Sequence, residues 1–183
     1  TTTGVPLEPA GTMTYHELFE IYTEQITALA EAGADLLVVE TMLGIDEMTV
    51  ALEAAQSVCA LPVLCSMTVQ ADGSGYFGGT CVEAVETLQE LGAAAVGINC
   101  STGPDQLESL VRNMRQAAKV PLLVKPNAGM PEISPEGEAI YSMGPEAFAQ
   151  HMRTLIDAGA ALVGGCCGTD PRYISALRDV LPR

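Results

Sequence analysis

A chain of 183 residues, 48% of them hydrophobic, is long enough for one domain with a sizeable core, and residues 1–183 are read as that single domain. With 23 acidic against 8 basic residues the formal charge is −15, which excludes a nucleic-acid binder, since phosphate neutralisation needs clustered Lys and Arg, and serves a polyphosphate cofactor poorly. No apolar run approaches the length of a membrane span and no cationic leader precedes a cleavage site, so no membrane attachment is expected.

The first residue, Thr1, is not a methionine, as expected of a processed product or a fragment. Thr14 is the expected N-cap of a first helix, with Glu17 completing a capping box and the helix running to about Glu31. Five apolar runs read as buried parallel strands: DLLVVET (Asp35 to Thr41), PVLCSMTV (Pro62 to Val69), AAVGINC (Ala94 to Cys100), PLLVKP (Pro121 to Pro126) and ALVGGC (Ala161 to Cys166). Between and after them, helices are expected near Ile45 to Cys59, Cys81 to Leu91, Pro104 to Ala118, Pro145 to Ala158 and Pro171 to Leu181. A repeated grammar ties them together: helix end, then Gly33, Gly92 or Gly159 in the left-handed cap position, then a strand. The long connection from Asn127 to Gly144 exceeds the usual loop and is expected to be functional or mobile.

Strand–helix alternation of this kind means an α/β fold with a parallel sheet. An open five-stranded sheet and part of an eight-fold barrel both satisfy it. Length alone favours the open sheet, yet the chain begins with a loop and a helix that no strand precedes, as if cut on its N-terminal side.

In either architecture ligands gather at the carboxyl ends of the strands. Those ends carry Glu40-Thr41, Thr68, Asn99-Cys100, Lys125-Pro126-Asn127 and Cys166-Cys167. Three of the six cysteines therefore converge, while Cys59 and Cys81 in helical segments and Cys65 in mid-strand read as small core residues. With no secretory leader, the thiols point to a reducing cytoplasm. Three thiolates suit Zn²⁺ and leave its fourth position open, as in catalytic sites. Neighbouring side chains in a strand face opposite ways, so the adjacent pair needs a bend that Gly164, Gly165 and Gly168 can supply. The same spacing admits a vicinal redox pair or two buried thiols, because it lacks the C-x-x-C rhythm. Glu40 reads equally as a cap of the next helix or as a substrate contact, and Asn99 as a backbone partner or a site residue. His16 and His151 fall on helices away from the strand ends, as surface or structural residues.

Taken together, VGINCS (Val96 to Ser101), VKPNAGMP (Val124 to Pro131) and VGGCCGTDPRYI (Val163 to Ile174) resemble the homocysteine S-methyltransferase family. Within it, the KPNAG form is most similar to the homocysteine-binding module of the cobalamin-dependent methionine synthase type. The resemblance extends over essentially the whole chain, including the stretch Thr3 to Leu29. It implies a (β/α)₈ barrel of which this chain carries strands four to eight. The first three units are absent, and with them the family's N-terminal Asp-Gly-x-x-Gly element, which helps hold the amino-acid substrate. Those units then belong to a longer protein or come from another chain, including a second copy of this one.

The resemblance further implies that Cys100, Cys166 and Cys167 are zinc ligands. Glu40, in the strand-end Glu-Thr position, would bind the α-amino group of homocysteine; Asn99 would line the site, and Asn127 would approach the metal when substrate is absent. The implied reaction is zinc-assisted methylation of the homocysteine thiolate to methionine. The donor, methylcobalamin or another methyl carrier, would be presented by a separate corrinoid domain or protein, since no cobalamin or folate site is read in this chain. Two other readings stand beside it: a zinc-loaded assembly module of the same fold without catalysis, and a vicinal-dithiol redox protein.

Overall fold

A computed structural model describes residues 1–181. Helix α1 (Tyr15–Glu31) starts as its capping signal dictates. The Glu17 N–H donates to the Thr14 hydroxyl and the Glu17 carboxylate accepts the Thr14 N–H at 3.0 Å. Its inward stripe is Leu18, Tyr22 and Ile26, one residue per turn. The remaining elements follow in alternation: β1 (Leu37–Met42), α2 (Ile45–Val58), β2 (Val63–Met67), α3 (Cys81–Glu90), β3 (Ala95–Cys100), α4 (Glu108–Ala117), β4 (Leu122–Pro126), β5 (Pro131–Ile133), β6 (Ala139–Tyr141), α5 (Pro145–Asp157), β7 (Ala160–Val163) and α6 (Pro171–Val180). Gly33, Gly92 and Gly159 have φ of +87°, +91° and +121°, the left-handed turn that the repeated grammar requires. Among the described residues no helix is long and apolar enough to cross a membrane.

The main sheet is wholly parallel, in the order β1-β2-β3-β4-β7. That order never reverses. A doubly wound sheet reverses its strand order to place helices on both faces, whereas unreversed right-handed crossovers carry every helix to the same face. The sheet is thus the five-stranded parallel one expected, and its unreversed order is consistent with a partial barrel-type arrangement.

The pairing register sorts the strand residues between two faces. Leu37, Val39, Cys65, Met67, Val96, Ile98, Leu122 and Val124 join the core beneath the helices. The opposite face carries Val38, Leu64, Ser66, Gly97, Asn99, Leu123, Lys125 and Leu162. On it Leu36, Val38 and Leu162 remain 45%, 41% and 38% exposed.

Three details depart from the sequence-based expectation. The last strand ends at Val163 rather than Cys166, so the two cysteines lie beyond regular structure. The helix expected from Pro104 is wound as a short 3₁₀ turn, Pro104–Gln106, before α4 begins, which seats Leu107 in the core. The long connection contains the antiparallel hairpin β5–β6. Its turn is closed by the Ser134 hydroxyl, which accepts from the N–H groups of Glu136 and Glu138, with Gly137 at φ +87°.

Candidate functional site

The site is built where β3, β4 and β7 end. Strand alternation would send Cys100 to the helix face with Val96 and Ile98. Instead Cys100 and the following Ser101 adopt left-handed backbone, φ +61° and +63°, an arrangement that costs a non-glycine residue about 1 kcal/mol or more. The Ser101 hydroxyl holds the turn by accepting the Val69 N–H at 2.8 Å. The turned Cys100 Sγ lies 3.8 Å from Cys167 Sγ.

Past Val163 the chain leaves the strand geometry but stays beside β4. Gly164 N–H donates to the Val124 carbonyl at 3.2 Å, Cys166 N–H to the Pro126 carbonyl at 2.8 Å, and Ala128 N–H to the Cys167 carbonyl at 2.9 Å. Of the three neighbouring glycines expected to bend the chain, only Gly168 is left-handed, at φ +77°, and the Tyr141 ring occupies the place of its missing side chain. Gly165 serves close approach instead: a Cβ there would stand 2.4 Å from the Thr169 hydroxyl, which donates to the Cys166 carbonyl at 2.7 Å. Freed from alternation, Cys166 and Cys167 point their sulfurs to the same side, 4.0 Å apart.

All three sulfurs lie within 4.8 Å of one another, two half-buried and one exposed. A tetrahedral site with Zn–S bonds of about 2.3 Å sets its sulfurs about 3.8 Å apart. The donor set therefore fits zinc in both chemistry and spacing. Burial, and after it the neighbouring Cys166 and Cys167 sulfurs, push the Cys100 thiol up to about 12. A central dication would reverse that balance for Cys100. The Tyr141 phenol is also raised, by burial and then by the Cys167 sulfur beside it.

The other thiols behave as the sequence suggests, with one adjustment: Cys59 caps the end of α2 rather than lying inside it. Cys65 and Cys81 are buried and their pKa values raised mainly by that burial, Cys65 to about 12. His16 and His151 sit exposed on α1 and α5.

Beneath the sulfurs Asn99, only 1% exposed, is a hub. Its Oδ1 accepts from the Thr41 N–H at 2.8 Å and the Ser66 hydroxyl at 2.7 Å, while its Nδ2 donates to the Thr41 hydroxyl at 2.8 Å and to Cys166 Sγ at 3.7 Å. All four bonding positions of the amide are thus used, and Asn99 reaches the site through a cysteine. Asn127 is buried, and its Oδ1 accepts the Cys167 N–H at 3.1 Å. Thr68 lies 3.3 Å from the Ser101 hydroxyl.

Glu40 does not cap α2, whose N-cap is Gly44 with no side-chain bond. The β1–β2 register slips between Val39 and Met42, with Thr41 at φ +59°, and the Glu40 carboxylate forms an ion pair with Lys125 Nζ. Reasoning from sequence gave no role to Lys125, Ser66, Thr41 or Tyr141. For Lys125 and Ser66 the signal was available: each is a polar residue inside an otherwise apolar buried strand.

A sequence profile for the family described as homocysteine S-methyltransferase matches residues 2–181. The methionine synthase of Mycobacterium leprae is 30% identical over an alignment of 186 positions that covers 98% of this chain and 15% of that protein. The methionine synthase of Mycobacterium tuberculosis is 31% identical over an alignment of 177 positions that covers 93% of this chain and again 15% of the relative. Among solved structures, the homocysteine methyltransferase MmuM from Escherichia coli in its apo form superposes with a TM-score of 0.76 at 24% identity, over 97% of this chain and 60% of that one. Its metallated form superposes at 0.70 with 25% identity, over 88% and 51%. The chain thus spans about one-seventh of the curated relatives' length, and little more than half of the structural one.

Proposed function

The chain belongs to the homocysteine S-methyltransferase family, and on that premise we propose that it is a zinc-dependent unit that binds homocysteine and readies its thiol for methylation to methionine. Residues 1–183 form one partial (β/α) barrel domain in this reading, with β1 to β4 and β7 as strands four to eight of an eight-stranded ring. The unreversed strand order and the exposed Val38 and Leu162 of the second face support it. The observation that carries the functional reading is the meeting of Cys100, Cys166 and Cys167 at the spacing of a tetrahedral thiolate site.

When bound, zinc supplies the Lewis acidity that keeps a substrate thiol ionised at neutral pH, where a free thiol of pKa about 8.5 is only a few per cent thiolate. The chain's residues do the rest. Three cysteine thiolates outnumber the two positive charges, which leaves the substrate sulfur electron-rich. Asn99 holds Cys166 by its sulfur and Asn127 holds Cys167 by its N–H, fixing two donors from beneath. Glu40 offers its carboxylate to the substrate's ammonium group. The sulfur lone pair then forms the new S–CH₃ bond while the donor keeps the electrons of the bond that breaks. We assign the donor to methylcobalamin on another domain or protein that docks at these strand ends. Free thiols at all six cysteines suit a reducing cytoplasm.

Calorimetric titration of the zinc-loaded chain with homocysteine, in buffers of different ionisation heat near pH 7, tests the reading. About one proton is released per homocysteine bound, because the incoming thiol ionises. Failure to retain zinc, or a proton count of zero, overturns it. A second reading, assembly without catalysis, draws on the exposed Leu36, Val38 and Leu162 of the open face. Methyl transfer from methylcobalamin to homocysteine separates the two.

A further inference from the structure

We propose that Lys125 receives the substrate's α-carboxylate, so that Glu40 and Lys125 together form a clamp for the zwitterionic end of a thiol amino acid. The inference rests on the function proposed above, in which that molecule brings its sulfur to the three cysteines.

Geometry places the lysine for this role. Glu40 and Lys125 belong to β1 and β4, which β2 and β3 separate, so their ion pair reaches over the open face of the sheet. Lys125 stands in register with Asn99, whose amide touches the Cys166 sulfur. Its aliphatic stem runs beside Gly164, where a Cβ would lie 3.3 Å from Lys125 Cγ. Its backbone thus lies on the strand next to that of Asn99 and Cys100, and its side chain is 22% exposed.

Charge supplies the second argument. Among the described residues every other basic side chain is committed elsewhere. Arg112, Arg153, Arg172 and Arg178 pair with acids beside them on the helices, Arg115 donates to the Ala118 carbonyl, and Lys119 precedes β4 at the opposite end of the sheet. A substrate carboxylate arriving beside three thiolates and Glu40, in a chain of net charge −15, meets repulsion unless a cation faces it. Lys125 is that cation. In the free chain Glu40 and Lys125 neutralise each other. A zwitterion inserts with opposite polarity, ammonium on Glu40 and carboxylate on Lys125, and one ion pair becomes two.

The test uses the full chain loaded with Co²⁺, whose sulfur-to-metal absorption reports thiol binding. Three thiols are titrated: homocysteine, 3-mercaptopropylamine, which lacks the carboxylate, and 4-mercaptobutyrate, which lacks the ammonium. Lys125→Met weakens homocysteine and 4-mercaptobutyrate by about 10- to 100-fold, the loss of a charged hydrogen bond, and changes 3-mercaptopropylamine less than about twofold. Glu40→Gln gives the mirror pattern, and Lys125→Arg recovers most of the homocysteine affinity. A Lys125→Met effect of equal size on all three thiols, or on none, overturns the assignment. An unaltered cobalt spectrum before thiol is added certifies each variant's site, and Lys125→Gln replaces Lys125→Met should the latter fail to load metal. If no thiol perturbs the spectrum of the unsubstituted chain, the functional reading itself fails, a result recognised before any variant is made.

Discussion

The two faces of the sheet are made from the same strands and obey opposite rules. Under the helices, Leu37, Val39, Cys65, Val96, Ile98 and Val124 are apolar without exception and sealed from water. On the other face Glu40, Ser66, Asn99 and Lys125 interrupt the apolar positions, and Gly97 carries no side chain at all. One face secures the fold and the other carries the polar groups of the proposed site. The cysteines make the contrast sharp, because one residue type occurs in both settings. Cys65 and Cys100 are each pushed up to about 12, Cys65 by burial alone and Cys100 by burial together with two neighbouring sulfurs. A cation relieves the second and does nothing for the first.

The largest effect expected from breaking this contrast is on metal affinity. Structural zinc sites bind with roughly 10–16 kcal/mol shared among their ligands. Cys100→Ser therefore weakens zinc by about 100-fold or more while leaving unfolding stability of the metal-free chain within about 1 kcal/mol. Cys65→Ala does the reverse: zinc is kept and about 1–2 kcal/mol of stability is lost to the cavity. Competition with a chromophoric chelator and urea unfolding measure the two quantities. Equal zinc affinities for the two variants would remove the distinction between the faces.

Next in size is Gly97→Ala. An added Cβ would stand 1.7 Å from the Leu123 carbonyl oxygen and 2.5 Å from its carbon, backbone that no rotamer can move aside. The expected cost is about 3 kcal/mol, at the upper end of overpacking, read from the urea midpoint. A loss below about 1 kcal/mol would show that β3 and β4 can separate at this point.

Much of the helix-side architecture was legible in residue order. The Thr14–Glu17 box, the three left-handed glycines and the five apolar runs each carry a local signal, and local signals survive without knowledge of the fold. That three cysteines gather at one end of the sheet was also legible, because the strands that carry them end on the same side, but the backbone turns that aim their sulfurs at one another were not. The run ALVGGC reads as strand through Cys166, although Gly164 and Gly165 mark the end at Val163. What stayed hidden depends on backbone that sequence does not encode locally. The left-handed turn at Cys100 and Ser101 contradicts the ordinary preference of both residues. Glu40 and Lys125 are 85 positions apart and pair only because the register of four strands aligns them. The hairpin is mostly exposed and carries no alternation to betray it, although Pro135-Glu136-Gly137 is a turn signal.

The smallest expected effect sharpens the comparison by pH. Burial raises the Cys65 thiol from 9.0 to about 12 in the folded chain, so between those values the unfolded chain has lost a proton that the folded one still holds. Fewer protons on the unfolded state mean that stability falls as pH rises. The contribution of Cys65 is whole below pH 9 and declines from there to about 12, at up to about 1.4 kcal/mol per pH unit. Cys81, shifted the same way by burial, adds a parallel loss, so the difference between the zinc-loaded chain and its Cys65→Ala variant isolates the one thiol. By pH 10 that difference amounts to about 1.4 kcal/mol, measured as unfolding free energy at pH 8 and pH 10 in the two proteins. Identical alkaline slopes would mean that the Cys65 thiol ionises as readily under the helices as in the unfolded chain, and the face assigned to the fold would then be wetter than its packing requires.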